Sequence, residues 1–240
     1  MTYAVIARCP RSGQFGLGIA SYSIAIGLYC DGALRANTGV TLTQGFPNPR
    51  NNYLAGNLLA QGYTAGQVLA RLIENDADHE YRQIAVIDRE GDTAAYTGPG
   101  VRAWSGHRVG DGYVAFGDML AGRHVLDALA AGFEAAPKAG LDDRLLQALE
   151  TAHRAGGMTG RRGPLPARSA GLVVWGNRSY NEIDLRVDLH EQAIQELQRI
   201  YVDYKPSIAY YEERARSPRN AIPAMEFAEM LKAEQQRAAG

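Results

Sequence analysis

The fold is decided by the first twenty residues, where two apolar segments flank a short turn. They are Thr2-Tyr3-Ala4-Val5-Ile6-Ala7-Arg8-Cys9-Pro10-Arg11-Ser12-Gly13-Gln14-Phe15-Gly16-Leu17-Gly18-Ile19-Ala20. The apolar residues within 3–8 and 14–20 predict two strands, and Pro10 and Gly13 are typical of the turn between them. We therefore expect an antiparallel hairpin at the start of the chain.

The same strand–turn–strand pattern recurs twice further along the chain. The predicted strands of these hairpins lie at residues 83–87, 93–96, 170–175 and 180–187, and two further strands are predicted at 39–44 and 113–116. Strands joined by short turns pair antiparallel, so most of the sheet structure is expected to be antiparallel.

Apolar residues at helical spacing lie between the hairpins. Six helices are predicted. The first ends at Gly62, the second begins at Thr64, and the last begins near Pro223. The three between them cover Val125–Phe133, Leu145–Leu149 and Ile194–Tyr201. Thr64 and Gln67 have the spacing of a capping box. Strand pairs alternating with helix pairs predict an α+β fold with helices on the outer faces of the sheets. We expect one domain over residues 1–204 and a helical arm over residues 205–240.

Composition excludes several classes of protein. Of 240 residues, 46% are hydrophobic and 21% are charged, which is typical of a globular chain. The net charge is −1, so a nucleic-acid partner is not expected. No apolar run is long enough to cross a membrane and no secretory signal is visible, so we expect a cytoplasmic protein. Two cysteines and five scattered histidines predict neither a metal site nor a cofactor.

Thr2 is the one residue whose position suggests catalysis. Methionine removal is efficient when the second residue is small, so the mature chain is expected to begin with Thr2. Its α-amine has an ordinary pKa of about 7.7–8.0 and can accept the proton of its own hydroxyl group. Since many chains begin Met-Thr without catalytic consequence, this position alone is weak evidence.

Several short segments, in this order along the chain, strengthen that interpretation. They are Thr43-Gln44, Asn48-Pro49-Arg50, Tyr96-Thr97-Gly98, Trp104-Ser105-Gly106-His107, Gly112 to Gly122, Arg168-Ser169-Ala170 and Asp184-Leu185-Arg186-Val187-Asp188. Together they resemble the bacterial family called domain of unknown function 1028, which is grouped with the N-terminal-nucleophile (Ntn) hydrolases. The resemblance covers residues 2–202.

The resemblance implies a four-layer αββα sandwich of two antiparallel sheets between helix layers. It also implies hydrolysis of a C–N amide bond by an N-terminal Thr, Ser or Cys, with no assigned substrate. The chain departs from the family pattern at Asp118, where an Asn is usual, and at Gly45-Phe46-Pro47. An ionised Asp118 cannot donate a hydrogen bond to an oxyanion, so the substrate pocket is expected to be altered.

Three side chains are candidates for the catalytic centre beside Thr2. Gln44 and Asn48 lie at the end of a predicted strand and can donate N–H bonds to a developing oxyanion, or can cap the turn that follows. Asp118 can orient the Thr2 amine or bind a polar substrate group; its structural alternative is the N-cap of the helix that follows.

Three further residues are candidates for substrate binding. Arg50 can pair with a substrate carboxylate, or can be an ordinary surface arginine. Ser21 directly follows the second predicted strand and can face the site. Arg168 can contact substrate, or can form an ion-pair network with Asp184 and Arg186.

The sequence thus predicts an amidohydrolase acting on a small-molecule amide. The alternative is a non-catalytic small-molecule-binding or assembly protein on the same fold, since a fold does not imply a function. Tyr201, Tyr204, Tyr210 and Tyr211 supply aromatic area of the kind enriched at interfaces, so we expect a homodimer or a larger homo-oligomer.

Overall fold

The computed structural model describes residues 1–31, 33–176 and 181–239 and has a mixed α+β architecture. The strands, in chain order, are β1 (Thr2–Arg8), β2 (Phe15–Ser21), β3 (Leu34–Arg35), β4 (Gly39–Gly45), β5 (Arg82–Asp88), β6 (Thr93–Thr97), β7 (Gly106–Gly110), β8 (Tyr113–Asp118), β9 (Met158–Gly160), β10 (Gly163–Leu165), β11 (Ser169–Trp175) and β12 (Ile183–Val187). The α-helices are α1 (Pro49–Ala60), α2 (Ala65–Glu74), α3 (Arg123–Glu134), α4 (Leu141–Arg154), α5 (Ala193–Tyr204), α6 (Ile208–Arg216) and α7 (Ala224–Ala239).

The strands form a larger and a smaller sheet, together with the separate pair β9–β10. The larger sheet has the order β12-β11-β2-β1-β8-β7 and the smaller has the order β3-β4-β5-β6. Every neighbouring pair is antiparallel, and the three predicted hairpins β1–β2, β5–β6 and β11–β12 are confirmed. The predicted turn at residues 177–179 and Tyr180 lie outside the described residues.

Each sheet is covered by its own pair of helices. Helices α3 and α4 pack on the larger sheet, whereas α1 and α2 pack on the smaller one. The other faces of the two sheets pack on each other, and Ala4 and Ile6 of β1 share one buried cluster with Val40 and Leu42 of β4. Because side chains alternate along a strand, Thr2 has the same orientation as Ala4 and faces the space between the sheets.

The elements that sequence patterns did not predict are short or exposed. Strand β7 lies at an edge of the larger sheet, and the side chains of His107, Arg108 and Val109 are exposed there. It therefore lacks the apolar alternation by which a half-buried strand is recognised. The capping box of Thr64 and Gln67 at the start of α2 is confirmed, with both of its hydrogen bonds present.

The described residues form two compact units, Met1–Gln198 and Arg199–Gly240. Within the second unit, the ring of Tyr210 stacks on that of Phe227 with a centroid distance of 3.9 Å. The Tyr210 hydroxyl also donates to the carbonyl of Ile222 at 3.0 Å. In the described part of the chain, no helix has the length and apolarity of a membrane span.

Two glycines of β2 let α4 lie close to the larger sheet. A Cβ atom on Gly16 would lie 2.6 Å from Leu145 Cδ1, and one on Gly18 would lie 3.3 Å from the Leu145 carbonyl oxygen. The Gly16-x-Gly18 pattern therefore serves helix–sheet packing, and its place inside a strand excludes a dinucleotide-binding turn.

We predict that Gly16→Ala lowers the free energy of unfolding by about 1–3 kcal/mol, because the added methyl group overpacks a buried contact. Gly66→Ala is the matched control, since a Cβ atom on exposed Gly66 meets nothing within 4 Å. The control should raise stability by about 0.5–1 kcal/mol. Denaturant unfolding measures both, and equal effects of the two substitutions would contradict the packing role of Gly16.

Candidate active site

Thr2 is the first residue of the central strand pair of the larger sheet and is held on both sides. It lies opposite Ser21 of β2 and opposite Asp118 of β8. Chain ends usually fray, but pairing on two edges fixes this one. The Thr2 side chain is 5% exposed, so its hydroxyl group is held in one place.

The inter-sheet side of Thr2 opens on a cavity of about 210 Å³. Its lining residues are Met1, Thr2, Ile19, Ser23, Ile24, Ile26, Tyr29, Thr43, Gln44, Gly45 and Pro47. The lining combines apolar side chains with a few polar groups, which is the usual character of a small-molecule site. Of the sequence-predicted site residues, Thr2 and Gln44 meet at this cavity.

The carboxylate of Asp118 contacts both of the first two residues. The Thr2 backbone N–H donates to Asp118 Oδ1 at 3.0 Å, and the Met1 α-amine lies 2.8 Å from Asp118 Oδ2. Burial raises the pKa of Asp118 and outweighs the opposing effect of the Met1 amine. The alternative role as a helix N-cap is wrong, because Gly122 occupies that position at α3.

Ser21 connects the Thr2 hydroxyl group to the carbonyl of Met1. The Thr2 and Ser21 hydroxyl oxygens are 3.0 Å apart, and Ser21 Oγ donates to the Met1 carbonyl oxygen at 3.0 Å. The Tyr22 backbone N–H donates to the same oxygen at 3.1 Å. Sequence patterns did not single out Tyr22, because a backbone donor leaves no trace in residue type.

The orientation of the Gln44 side chain is set by Gln83 of β5. Gln83 Nε2 donates to the carbonyl oxygens of Gly106 and Gly117, which fixes that nitrogen away from Gln44. Gln83 Oε1 therefore accepts from Gln44 Nε2 at 3.0 Å. Within the described residues Gln44 Oε1 has no hydrogen-bond partner, although the side chain is only 3% exposed.

Asn48 belongs to a polar cluster at the base of the loop that lines the cavity. It is the N-cap of α1, and its Nδ2 donates to Asp76 Oδ2 at 3.2 Å. Arg82 Nε donates to the same carboxylate oxygen at 3.0 Å, and Arg82 Nη1 donates to the Phe46 carbonyl at 2.6 Å. Asn48 is thus engaged in capping and does not line the cavity at Thr2.

The two candidate arginines do not line that cavity either. Arg50 is exposed in the first turn of α1. The guanidinium group of Arg168 lies over the ring of Tyr22, 5.2 Å from its centroid. Of the expected ion-pair network, the described residues contain the pair Arg186–Asp184, with 3.5 Å between Nε and Oδ1.

Comparison with known proteins places the chain in a family. The model described as "Family of unknown function (DUF1028)" matches residues 2–197. The chain belongs to the DUF1028 family. It is also similar to the crystal structure of protein SPO2555 from Silicibacter pomeroyi, another DUF1028 protein, with a TM-score of 0.75 and 26% identity over 85% of this chain and 89% of that one. No curated protein matches the chain.

In this DUF1028 chain the polar cluster of Asn48, Asp76 and Arg82 strongly changes the pKa of Asp76. Burial raises the pKa of Asp76, but hydrogen bonds from Arg82 and Asn48 more than offset this and lower it to about 2. Since an unfolded Asp has a pKa of about 3.9, ionised Asp76 contributes roughly 2 kcal/mol to folding at neutral pH. That contribution is complete above about pH 5 and is lost as the pH falls towards 2.

We predict that Asp76→Asn lowers the free energy of unfolding by about 2 kcal/mol at pH 7 and by about 1 kcal/mol or less at pH 2.5. The control is Asp78→Asn, because the Asp78 side chain is 71% exposed and its carboxylate lies 3.8 Å from the guanidinium group of Arg82. An exposed pair of this kind is worth at most about 1 kcal/mol. Urea unfolding at the two pH values checks this, and a loss that does not shrink at low pH would refute it.

Proposed function

We propose that this protein is an amidohydrolase of the Ntn type, with Thr2 as its nucleophile after removal of Met1. The observation that carries the proposal is the position of Thr2. Its nitrogen lies 3.0 Å from a buried carboxylate, its hydroxyl lies 3.0 Å from Ser21, and Thr2 is one of the residues that line a cavity. An N-terminal threonine held in this way supplies both the nucleophile, its hydroxyl group, and the base, its own α-amine.

Loss of Met1 would convert the Thr2 backbone nitrogen into a free α-amine beside Asp118. In the proposed reaction that amine takes the Thr2 hydroxyl proton, directly or through one water, while Oγ1 attacks the amide carbonyl carbon of the substrate. The amine then gives the proton to the departing nitrogen as the C–N bond breaks. Water hydrolyses the resulting acyl ester of Thr2 and regenerates the hydroxyl group.

The proposed oxyanion donors are the two groups that bind the Met1 carbonyl. The Tyr22 N–H and the Ser21 hydroxyl would lose their acceptor when Met1 leaves, and both lie beside Thr2. Such donors stabilise the charge that develops on the substrate carbonyl oxygen. Gln44, whose Oε1 has no partner among the described residues, is proposed to accept an N–H of the substrate.

The arrangement of layers supports the same proposal. Helices on the outer face of each sheet, with the two sheets packed against each other, fit the αββα sandwich expected of Ntn hydrolases. The cavity of about 210 Å³ would be enlarged by the loss of Met1, which lines it, and suits a small amide. A cytoplasmic location and a homo-oligomeric state remain predictions.

We predict that Thr2→Ala lowers kcat by about 1,000-fold or more, because it removes the nucleophile and keeps the amine. Thr2→Ser keeps both groups and should stay within about tenfold of the wild-type rate. The measurement is release of ammonia or amine from a panel of small linear and cyclic amides. Full activity of Thr2→Ala would refute the mechanism.

An uncleaved N-terminal tag gives an independent control, because it leaves the Thr2 side chain intact and turns the amine into an amide. The tagged protein should have no activity, and cleavage of the tag directly before Thr2 should restore it. The intact mass tells whether Met1 is removed in the purified protein. A retained Met1, together with binding but no hydrolysis of small amides, would favour the non-catalytic alternative.

We predict that Asp118→Asn shifts the rising limb of the pH–rate profile to lower pH by about one unit or more. An ionised Asp118 within hydrogen-bond distance stabilises the protonated amine and so raises its pKa, and the neutral amide removes that effect. The amine must be neutral to act as the base, so the variant becomes active at lower pH. An unchanged pH profile would show that Asp118 does not act on the amine.

A further inference from the structure

A second cavity, open to solvent and of about 680 Å³, is lined in part by Met119, the residue that follows Asp118. Its lining residues are Arg102, Ala103, Met119, Thr159, Gly160 and Arg161. The two charged residues are both arginines, and no carboxylate is among the lining residues. Within the described part of the chain, neither guanidinium group lies within ion-pair distance of a carboxylate, so each can still pair with an anionic ligand.

The chain segments around this cavity are tied to one another through Met119. The Met119 N–H donates to the Arg102 carbonyl at 3.3 Å, and the Thr159 N–H donates to the Met119 carbonyl at 2.7 Å. The residue next to Met119 is Asp118, which contacts the Thr2 nitrogen. The segments that carry the arginines are therefore anchored beside the candidate catalytic centre.

The walls of the two cavities are in contact through the loop before α1. Gly45 and Pro47 line the cavity at Thr2, and Phe46 between them packs on Arg102, whose guanidinium carbon is 5.0 Å from the ring centroid. The Phe46 ring is itself held edge-on by Tyr81. Arg102 also acts on Asp118 by charge, since it opposes the rise in that pKa.

On the basis of this juxtaposition, we infer that the Arg102–Arg161 cavity binds an oxyanionic group of the substrate, a carboxylate or a phosphate. Guanidinium groups bind such planar or tetrahedral oxyanions through charge-assisted, often bidentate hydrogen bonds. This inference rests on the proposed function for its description of the ligand as a substrate. It narrows the substrate class to amides that carry a negative charge away from the scissile bond.

The test is calorimetric binding to the purified full chain, with succinate, inorganic phosphate and neutral succinamide as probes. Succinate or phosphate should bind, and succinamide should not. Stronger binding of succinate would assign the site to carboxylates, and stronger binding of phosphate would assign it to phosphates. Absence of binding by both anions, or equal binding of succinamide, would overturn the inference.

Substitutions locate the binding. Arg102→Gln and Arg161→Gln should each weaken anion binding by about tenfold or more, because each removes one charge-assisted contact. Arg162→Gln is the matched control, since Arg162 is exposed, adjacent in sequence and absent from the lining. Binding by the control should stay within about twofold of wild type. An equal loss in the control, or no loss in the other two variants, would also overturn the inference.

Hydrolysis assays of the same variants test this inference independently of the proposed function. The substrates are succinamate, which carries one carboxylate, and neutral succinamide. Anion binding that survives without hydrolysis of either amide overturns the amidohydrolase and keeps the subsite. Hydrolysis in a protein that binds no anion overturns the subsite and keeps the amidohydrolase. With both present, Arg161→Gln should raise KM for succinamate by a much larger factor than KM for succinamide.

Discussion

The pairing of β1 on both of its edges is the constraint on which the rest of the molecule depends. Residues 3–7 of this strand are completely buried, with β2 on one side and β8 on the other. A terminal strand in the middle of a sheet cannot fray without exposing the cores on both of its faces. This is why Thr2, which lies next to the first residue of the sequence, has a fixed environment.

The two sheets are joined behind the candidate site by a polar side chain. Gln83 is completely buried in β5, and its amide nitrogen reaches the backbone of β7 and β8 in the other sheet. A buried amide is costly unless its hydrogen bonds are made, so the two sheets are stabilised in the one arrangement that satisfies it. The same arrangement places Gln44 on the cavity wall, opposite the strand that ends in Asp118.

The charges around the site are unevenly distributed although the net charge is only −1. A buried carboxylate lies at the Thr2 nitrogen, whereas two arginines, Arg102 and Arg161, line a second cavity. In the proposed reaction, Asp118 would act on the Thr2 amine, whereas Arg102 and Arg161 would bind the anionic group of the substrate.

The sequence by itself determined the local elements and the candidate nucleophile. Hairpins, the capping box at Thr64 and the amphipathic helices follow from short-range periodicity and turn residues, and the ordered motifs indicated the family. Only the tertiary structure decided which side chains meet Thr2. Asp118 is 116 residues away and arrives through the register of β1 with β8, whereas Asn48, close to Gln44 in sequence, is turned to Asp76 as a helix cap. Alternation and turn geometry specify the register within a hairpin, but the pairing of β1 with the distant strand β8 depends on tertiary contacts that no local pattern identifies.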